Sequence, residues 1–524
     1  MNFIFVSQSD SLPLFSGLAK QLSTHVDIGR TAFTLADSWA YRSWLERCPE
    51  FESDDKYLLK EWELTNKDAR TRELDYELLA GYETKLGGPG LFGAIVTDRR
   101  LIFGPNCTFT QDYRRRFTDE ELLGILQTAL VAVDNMFDEV KPDVVFSFIC
   151  VTILDYLVYL FAKSRGITFL NLRTTRISNH VHFSSTLNDP SPELVAALRE
   201  VRSRGSLKMD NAKSYISSVR THHAKYEGVV APSAKPAQQL NLGKKSIGSL
   251  WRLLKIWWKY RSSESAQDNH CPGIIRPLIY KMLVNPIQAA RVDRFLRSRY
   301  LDIGNLGQRR LAFYPLHTEP EVSLLVYGRP FINQIEVIRS VALSLPAGML
   351  LVVKEHPWMV GKRSVGSYRK LLNIPNVAFA APESDARSWI EKADITVVLT
   401  SSVALEAAIL KRPVVTIGHV SMNLLPNGMV RRCDDLNQLA QVLRESIEEH
   451  THDEKWLEDY VAAVMEFSVK VNLYTTLLGR SAGFNTGQAS FEDDIRELAE
   501  YAISLLGGHK LGGADRMLIE AAEW

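Results

Sequence analysis

Residues 394–418 constrain the fold of this chain more than any other stretch. Asp394 to Thr400 is an apolar run of strand length, Ser401 and Ser402 form a hydroxyl-bearing turn, and Val403 to Leu410 has the length of a short helix. Pro413 then starts a second apolar run ending at Gly418. Two short apolar runs around a helical segment predict a βαβ unit with parallel strands. A helix starting at Ser402 turns unpaired N–H groups and a positive dipole end toward whatever lies before it, a usual place for phosphate. The same hydroxyls can equally serve only as helix caps.

A second segment, Met349 to Pro357, is an apolar strand that ends in Lys354, Glu355 and His356. Ligands of open α/β sheets sit at the carboxyl ends of strands. If this strand shares a sheet with the one before Ser401, then Lys354, His356, Ser401 and Ser402 converge on one anion. Pro357 keeps His356 extended. A lone histidine is otherwise an ordinary structural residue.

The chain has 524 residues, room for two large domains or three small ones. Its net charge of +1 gives no global field for nucleic acid. The five cysteines are scattered with no CxxC pair, against a metal knuckle or disulfide framework and in keeping with a reducing, cytoplasmic setting. The start, Met1 to Ser7, reads as a first strand and not as a signal peptide. Val144 to Ala162 approaches membrane-spanning length. Asp155 interrupts it, however, and Thr152 to Asp155 fits a capping box, so a strand at 143–150, a helix at 152–164 and a strand at 167–172 are expected.

The amino-terminal part, 1–190, reads as α/β. It has a strand at 2–7, a helix near 14–22 and a charged helix-like region at 40–90. Strands are expected at 92–96 and 100–103, split by Thr97-Asp98-Arg99, and a long helix at 118–140 carries a Thr118/Glu121 capping box. Residues 191–305 are helical, basic and aromatic, with Trp251, Lys255, Trp257, Trp258, Lys259 and Arg261 close together. Such a stretch suits a membrane surface or a helix packing its tryptophans inward. From 306 to 450 strands (311–316, 349–354, 377–380, 395–400, 414–417) alternate with helices (331–345, 384–393, 402–410), a doubly wound domain. Residues 451–524 read as helices packing back across the domains. The fold class is thus α/β, two facing Rossmann-like domains with a helical insertion and a helical tail, and the cleft between them is the default site. No GxGxxG follows the first strand, and neither a Walker motif nor a GxSxG elbow is present.

The carboxyl-terminal half resembles the GT-B glycosyltransferases of the capsule polysaccharide biosynthesis family, which includes β-Kdo transferases, and more distantly the GT-B sialyltransferases. The matching residues are Tyr314-Pro315-Leu316-His317, Lys354-Glu355-His356-Pro357, and Ser401-Ser402 with Glu406-Ala407, across roughly 309–420. The resemblance implies a metal-independent transferase with no cofactor beyond its donor. Its CMP-sugar, of Kdo type, would be held by Pro315, His317, Lys354, His356, Pro357, Ser401, Ser402 and Glu406. Its acceptor would be a saccharide or glycolipid at the cytoplasmic face of the inner membrane. The leaving phosphate needs stabilising charge. His356, protonated near neutral pH, would assist its departure. An acceptor hydroxyl needs a carboxylate base from the amino-terminal half. Asp10 and Asp155 are the candidates, and each has a capping role as its alternative. Arg173 and Arg176 would hold the sugar carboxylate or remain solvated loop charges. Glu406 would bind a ribose hydroxyl or face solvent. A UDP-sugar transferase or 2-epimerase on the same architecture, and a non-enzymatic assembly scaffold, are the competing readings.

Overall fold

The computed structural model describes residues 1–8, 10–53, 56–88, 90–103, 116–222, 283–307, 309–319, 321–479 and 490–511, with isolated positions between 251 and 279. Two seven-stranded sheets organise them. The amino-terminal sheet contains β1 (Phe3–Ser7), β2 (Thr31–Leu35), β3 (Lys56–Lys60), β4 (Val144–Ser147), β5 (Thr168–Thr174) and β6 (His180–Ser184). The carboxyl-terminal sheet contains β7 (Tyr300–Leu301), β8 (Leu311–Pro315), β9 (Leu350–Lys354), β10 (Val377–Ala380), β11 (Ile395–Val398), β12 (Val414–Thr416) and β13 (Val430–Arg432). A late strand, β14 (Val469–Lys470), returns to the first sheet beside β6.

Strand order decides where a ligand can sit. The second sheet runs β13-β12-β11-β8-β9-β10-β7, parallel throughout. The chain builds outward from β8 to β10, crosses back, and builds the other way from β11. The order therefore reverses between β8 and β11, and the carboxyl ends of strands at such a reversal are where ligands of open α/β sheets bind. The first sheet repeats the scheme, β14-β6-β5-β4-β1-β2-β3, with its reversal between β1 and β4. Its far edge is antiparallel, β5 with β6 and β6 with β14.

The buried strands are nearly all apolar, as strands covered on both faces must be. Phe3, Phe5, Phe33 and Phe146 pack into one aromatic cluster under the first sheet. The helices Leu12–Leu22 and Phe491–Leu511 pack together on that face, so the tail closes over the amino-terminal domain. Helices Pro192–Arg204 and Met209–Arg220 lie instead against Glu454–Glu466, on the carboxyl-terminal domain.

Both capping boxes form as read, Thr118 with Glu121 and Thr152 with Asp155. Among the described residues no helix is long and apolar enough to cross a membrane, and Val144 to Ala162 divides into β4 and the Ile153–Ser164 helix. One expectation fails. Residues 92–96 and 100–103 are not strands but the helices Phe92–Thr97 and Arg99–Phe103. Leu91, Ala94 and Ile95 are buried at helical spacing, and the Asp98 carboxylate accepts the N–H groups of Arg100 and Leu101, which starts the second helix. The strands β2, β3, β6, β7, β13 and β14 were not anticipated.

Candidate active site

The carboxyl-terminal crevice is built around His317. β8 ends at Pro315, and His317 lies two residues beyond it, buried. Its Nε2 accepts the backbone N–H of Thr400 at 3.3 Å, its own N–H donates to Gln334 Oε1 at 2.9 Å, and its carbonyl accepts from Arg363 Nη2 at 2.9 Å. The acceptor role of Nε2 places the ring proton on Nδ1. Burial pushes the imidazole down to about 3, helped by the charges of Arg176 and Arg363 and, in acid, by His356, so it is neutral at pH 7.

Next to it, β9 delivers Lys354, Glu355 and His356. The buried Lys354 donates to the Pro382 carbonyl at 2.8 Å, on the β10 side. β8 lies between β9 and β11, and the Lys354 ammonium is held on the β10 side instead of being turned toward the Ser401–Ser402 turn. Burial lowers its ammonium. His356 is half-buried, and burial followed by Lys354, Lys362 and Arg363 pushes it down to about 4. The imidazole is therefore neutral near pH 7 in the protein as it stands, contrary to the expected protonated form. A phosphate placed beside it would raise that value, because an opposite charge favours the imidazolium.

Behind both histidines lies a buried ionic network that sequence reading missed. Arg363 Nε pairs with Glu355 at 2.7 Å and its Nη1 with Glu319 at 3.1 Å, and Tyr368 donates to Glu355 at 2.8 Å. Gln334 closes the ring onto Glu319. Burial works against the Arg363 charge, but the two carboxylates hold it above the ordinary arginine range. The network fixes the carbonyl of His317 and, through Glu355, the N–H of His356.

On the β11 side, Ser401 Oγ accepts the Val403 N–H at 3.3 Å and so caps the Val403–Ile409 helix. Ser402 makes no such bond. Capping therefore occupies one hydroxyl of the pair. Glu406 is half-buried, not solvated, and its carboxyl is raised by burial and by Asp385, against Arg387. Tyr215, on the Met209–Arg220 helix, senses its charge.

At the amino-terminal crevice, Gln8 follows β1 and donates to both the Ile149 carbonyl and Asp155 Oδ2, the latter at 2.7 Å. Asp155 is buried, and Oδ2 also accepts the N–H groups of Val151 and Thr152, each at 2.8 Å. Its capping geometry is thus complete on one oxygen, while no described residue donates to Oδ1. Burial, with Glu61 and Asp98 adding to it, pushes this carboxyl up to about 8 against the backbone bonds. Glu61 and Asp98, both buried, were not singled out from sequence. Asp10 is exposed on the turn after β1.

The two arginines part company. Arg173 is buried and donates to Asn171 Oδ1, the Asn188 carbonyl, Asp189 Oδ1 and the Thr186 carbonyl, with its guanidinium over the Tyr327 ring. Those bonds fix the β5–β6 edge and leave the arginine poorly placed to hold a sugar. Arg176 sits at the β5–β6 turn with a left-handed φ of +62°, and its charge acts on His317 and Glu321 of the other domain. A non-glycine residue held in that region is strained, and such strain clusters at ligand sites. Among the described residues no three His, Cys, Asp or Glu side chains cluster as metal ligands.

Residues 287–425 match the family model described as capsule polysaccharide biosynthesis protein, about a quarter of the chain. The match spans β8 to β12 and therefore His317, His356, Ser401 and Ser402. The family resemblance read from these residues holds for this part of the chain. No curated protein sequence matches. Among solved structures, the β-Kdo 2,7 transferase of Thermosulfurimonas dismutans KpsC is 13% identical, with 71% of this chain and 89% of that one covered and a TM-score of 0.32. The β-Kdo 2,4 transferase of the same protein is 10% identical, with 63% and 82% covered and a TM-score of 0.30. S. aureus MnaA in its UDP complex is 10% identical, with 97% of each chain covered and a TM-score of 0.27. Likenesses this slight carry no argument about activity.

Proposed function

We propose that the chain is a glycosyltransferase that moves an acidic sugar of Kdo type from a CMP-activated donor to a growing surface polysaccharide or glycolipid. One observation carries the reading. The Ser401–Ser402 pair stands at the strand-order reversal of the domain matching the capsule biosynthesis family, joined through Thr400 to His317.

The chemistry follows from charge. Breaking the bond from sugar to phosphate builds negative charge on the leaving nucleotide, and fixed donors in a dry site stabilise it. Ser402 and His356 supply such donors, with Ser401 shaping the turn that presents them. His356 enters neutral, gives an N–H to the phosphate, and becomes the stronger donor as the anion raises its affinity for protons. Pro315 and Pro357 hold the strand ends rigid around it. Glu406, beneath the Tyr215 helix, faces the ribose. Lys354 acts at longer range, as a buried charge behind His356. Across the cleft Arg176 receives the sugar carboxylate, a task that Arg173 leaves to it. Asp155 takes the acceptor proton on Oδ1, while Oδ2 stays with the cap. Asp10 is the alternative base.

The acceptor side lies at a membrane surface in this reading. Trp251 and Trp258 are 69% and 63% exposed, and Leu254 and Lys255 are exposed as well. Trp257, Lys259 and Arg261 lie outside the described residues. Flotation with anionic vesicles at low salt, lost at high salt, is expected because surface charges are screened. Equal recovery on neutral vesicles would remove the electrostatic part.

The deciding experiment is a melting panel of CMP, CDP, UMP, UDP and GDP, since a ligand that binds the native state stabilises it. CMP should raise the melting temperature in the presence of EDTA. A shift by UDP and none by CMP would favour a UDP-sugar transferase or epimerase. No shift by any nucleotide would favour the scaffold.

A further inference from the structure

One segment of the carboxyl-terminal domain is built to grip the amino-terminal domain. After His317 the chain makes a π-helical turn, Ser323–Tyr327, and a 3-10 turn, Arg329–Phe331. Single π turns recur at functional sites because they re-aim side chains. Here Tyr327 lies under the Arg173 guanidinium, 5.4 Å from its ring centre. Arg329 reaches further. Its Nη1 donates to Tyr156 Oη at 3.1 Å, its Nη2 to Thr97 Oγ1 at 3.0 Å, and its Nε back to the Leu325 carbonyl at 3.1 Å. The guanidinium also lies 4.7 Å from the Tyr156 ring centre. The socket is shaped for it: a Cβ on Gly93 would collide with Arg329 Nη1. A planar fork that serves two acceptors while stacking on a ring is a task lysine cannot perform.

The position of the socket gives it meaning. Thr97 precedes Asp98 and Tyr156 follows Asp155, the two buried carboxylates of the amino-terminal crevice. Asp98 Oδ2 accepts the Ile153 N–H at 3.3 Å, so the two walls of the socket are joined. On the other side, Ser323 accepts from Thr400 Oγ1 at 3.0 Å, and Thr400 precedes the Ser401–Ser402 pair. Gly328 lies close to Leu399, where an added Cβ would stand 3.2 Å away. A continuous path of contacts thus runs from the nucleotide crevice through Ser323 and Arg329 to the residues beside Asp98 and Asp155.

We propose that Arg329 is a positioning residue, an interdomain latch that sets the amino-terminal carboxylates over the nucleotide crevice. It touches no reacting atom. Its effect on turnover rests on the glycosyltransferase reading, whereas its effect on domain geometry does not.

The test uses the full chain and compares wild type with Arg329→Ala, Arg329→Lys, Tyr156→Phe and Gly93→Ala. Small-angle scattering and an interdomain fluorescence-transfer pair report geometry, CMP titration reports the nucleotide crevice, and donor kinetics report turnover. Arg329→Ala should broaden the interdomain distance distribution and leave CMP affinity within about threefold. It should lower kcat about a hundredfold with little change in KM for the donor, as a misplaced but intact site does. Gly93→Ala should act in the same direction from the opposite wall. Tyr156→Phe, which keeps the ring, should cost less, and Arg329→Lys should rescue only part. Wild-type geometry and wild-type kcat in both Arg329→Ala and Gly93→Ala would overturn the latch. Should Arg329→Ala lose its melting transition, Gly93→Ala and Tyr156→Phe decide. Should the wild type turn over no CMP-sugar, the glycosyltransferase reading falls, and the distance distributions alone decide the latch.

Discussion

His317 Nε2 accepts the backbone N–H of Thr400 at 3.3 Å, across the point where the strand order of the second sheet reverses. The register of β8 with β11 runs through Ala312–Ile395 and Phe313–Thr396 and goes no further toward their carboxyl ends. Beyond that pairing the strands part, and an N–H group there needs another acceptor. The imidazole supplies it and holds the Ser401–Ser402 turn at a fixed distance from β8.

Removing that acceptor should cost stability. His317→Ala leaves a buried N–H unsatisfied, a loss of about 1–3 kcal/mol on the usual scale of such groups. His317→Gln, whose amide oxygen can occupy the Nε2 position, should lose less. Urea unfolding of the three proteins measures both. Equal stability of His317→Ala and wild type would mean that Thr400 finds another partner.

Acid should weaken the fold through the same residue. His317 is pushed down to about 3 and His356 to about 4, against 6.5 for an ordinary histidine. Between those values the unfolded chain binds more protons than the native one, so stability rises with pH there. The contribution is complete above pH 6.5 and is lost as pH falls toward 3 to 4. His317→Gln should therefore show a shallower stability decline than wild type between pH 6.5 and 4. Parallel curves would contradict the depressed imidazole.

The buried Glu319–Arg363–Glu355 network should be intolerant of losing its centre. Arg363→Met leaves two buried carboxylates facing each other without a counter-charge, and breaking such a pair typically costs about 3–5 kcal/mol. Tyr368→Phe removes one bond to Glu355 and should cost about 1 kcal/mol. A smaller effect of Arg363→Met than of Tyr368→Phe, read from the same unfolding curves, would show that the carboxylates are neutral in the fold.

Substituting Asp155 separates its capping role from its proposed role as the base. Asparagine still accepts a hydrogen bond but takes no proton, so Asp155→Asn should keep most of the helix cap. A lost general base costs about a hundredfold or more in kcat. The carboxyl is pushed up to about 8, so wild-type turnover should climb with pH toward that value as the carboxylate forms. Turnover near wild type in Asp155→Asn, with the pH limb unchanged, would assign Asp155 to capping alone and make Asp10→Asn the next assay.

The two capping boxes were legible because Thr118/Glu121 and Thr152/Asp155 carry their signal within four residues. The β8 to β12 alternation was legible for a similar reason, each strand being a short apolar run bounded by turn residues. What could not be read was set by distance in sequence. Nothing local says that β8 lies between the strands of Lys354 and Ser401, or that the Lys354 ammonium is taken up by the Pro382 carbonyl. Arg363 is an unremarkable loop arginine until Glu319 and Glu355 are folded around it. Arg173 and Arg176 look alike in sequence, yet one is buried against Asp189 and the other turned to the facing domain by a left-handed backbone. Short apolar runs such as those within Phe92 to Phe103 fit strand and helix equally, and the Asp98 carboxylate, bonded to the N–H groups of Arg100 and Leu101, decides for helix.

The proposed nucleotide site is tested most directly by calorimetric titration of CMP, with EDTA present, into wild type and His356→Ala. A strand-end imidazole adds little to the core, so the variant should melt like wild type and bind CMP at least tenfold more weakly, a loss of about 1.4 kcal/mol. UDP should bind neither protein appreciably. Unchanged CMP affinity in His356→Ala, or UDP binding in place of CMP, would contradict the assignment.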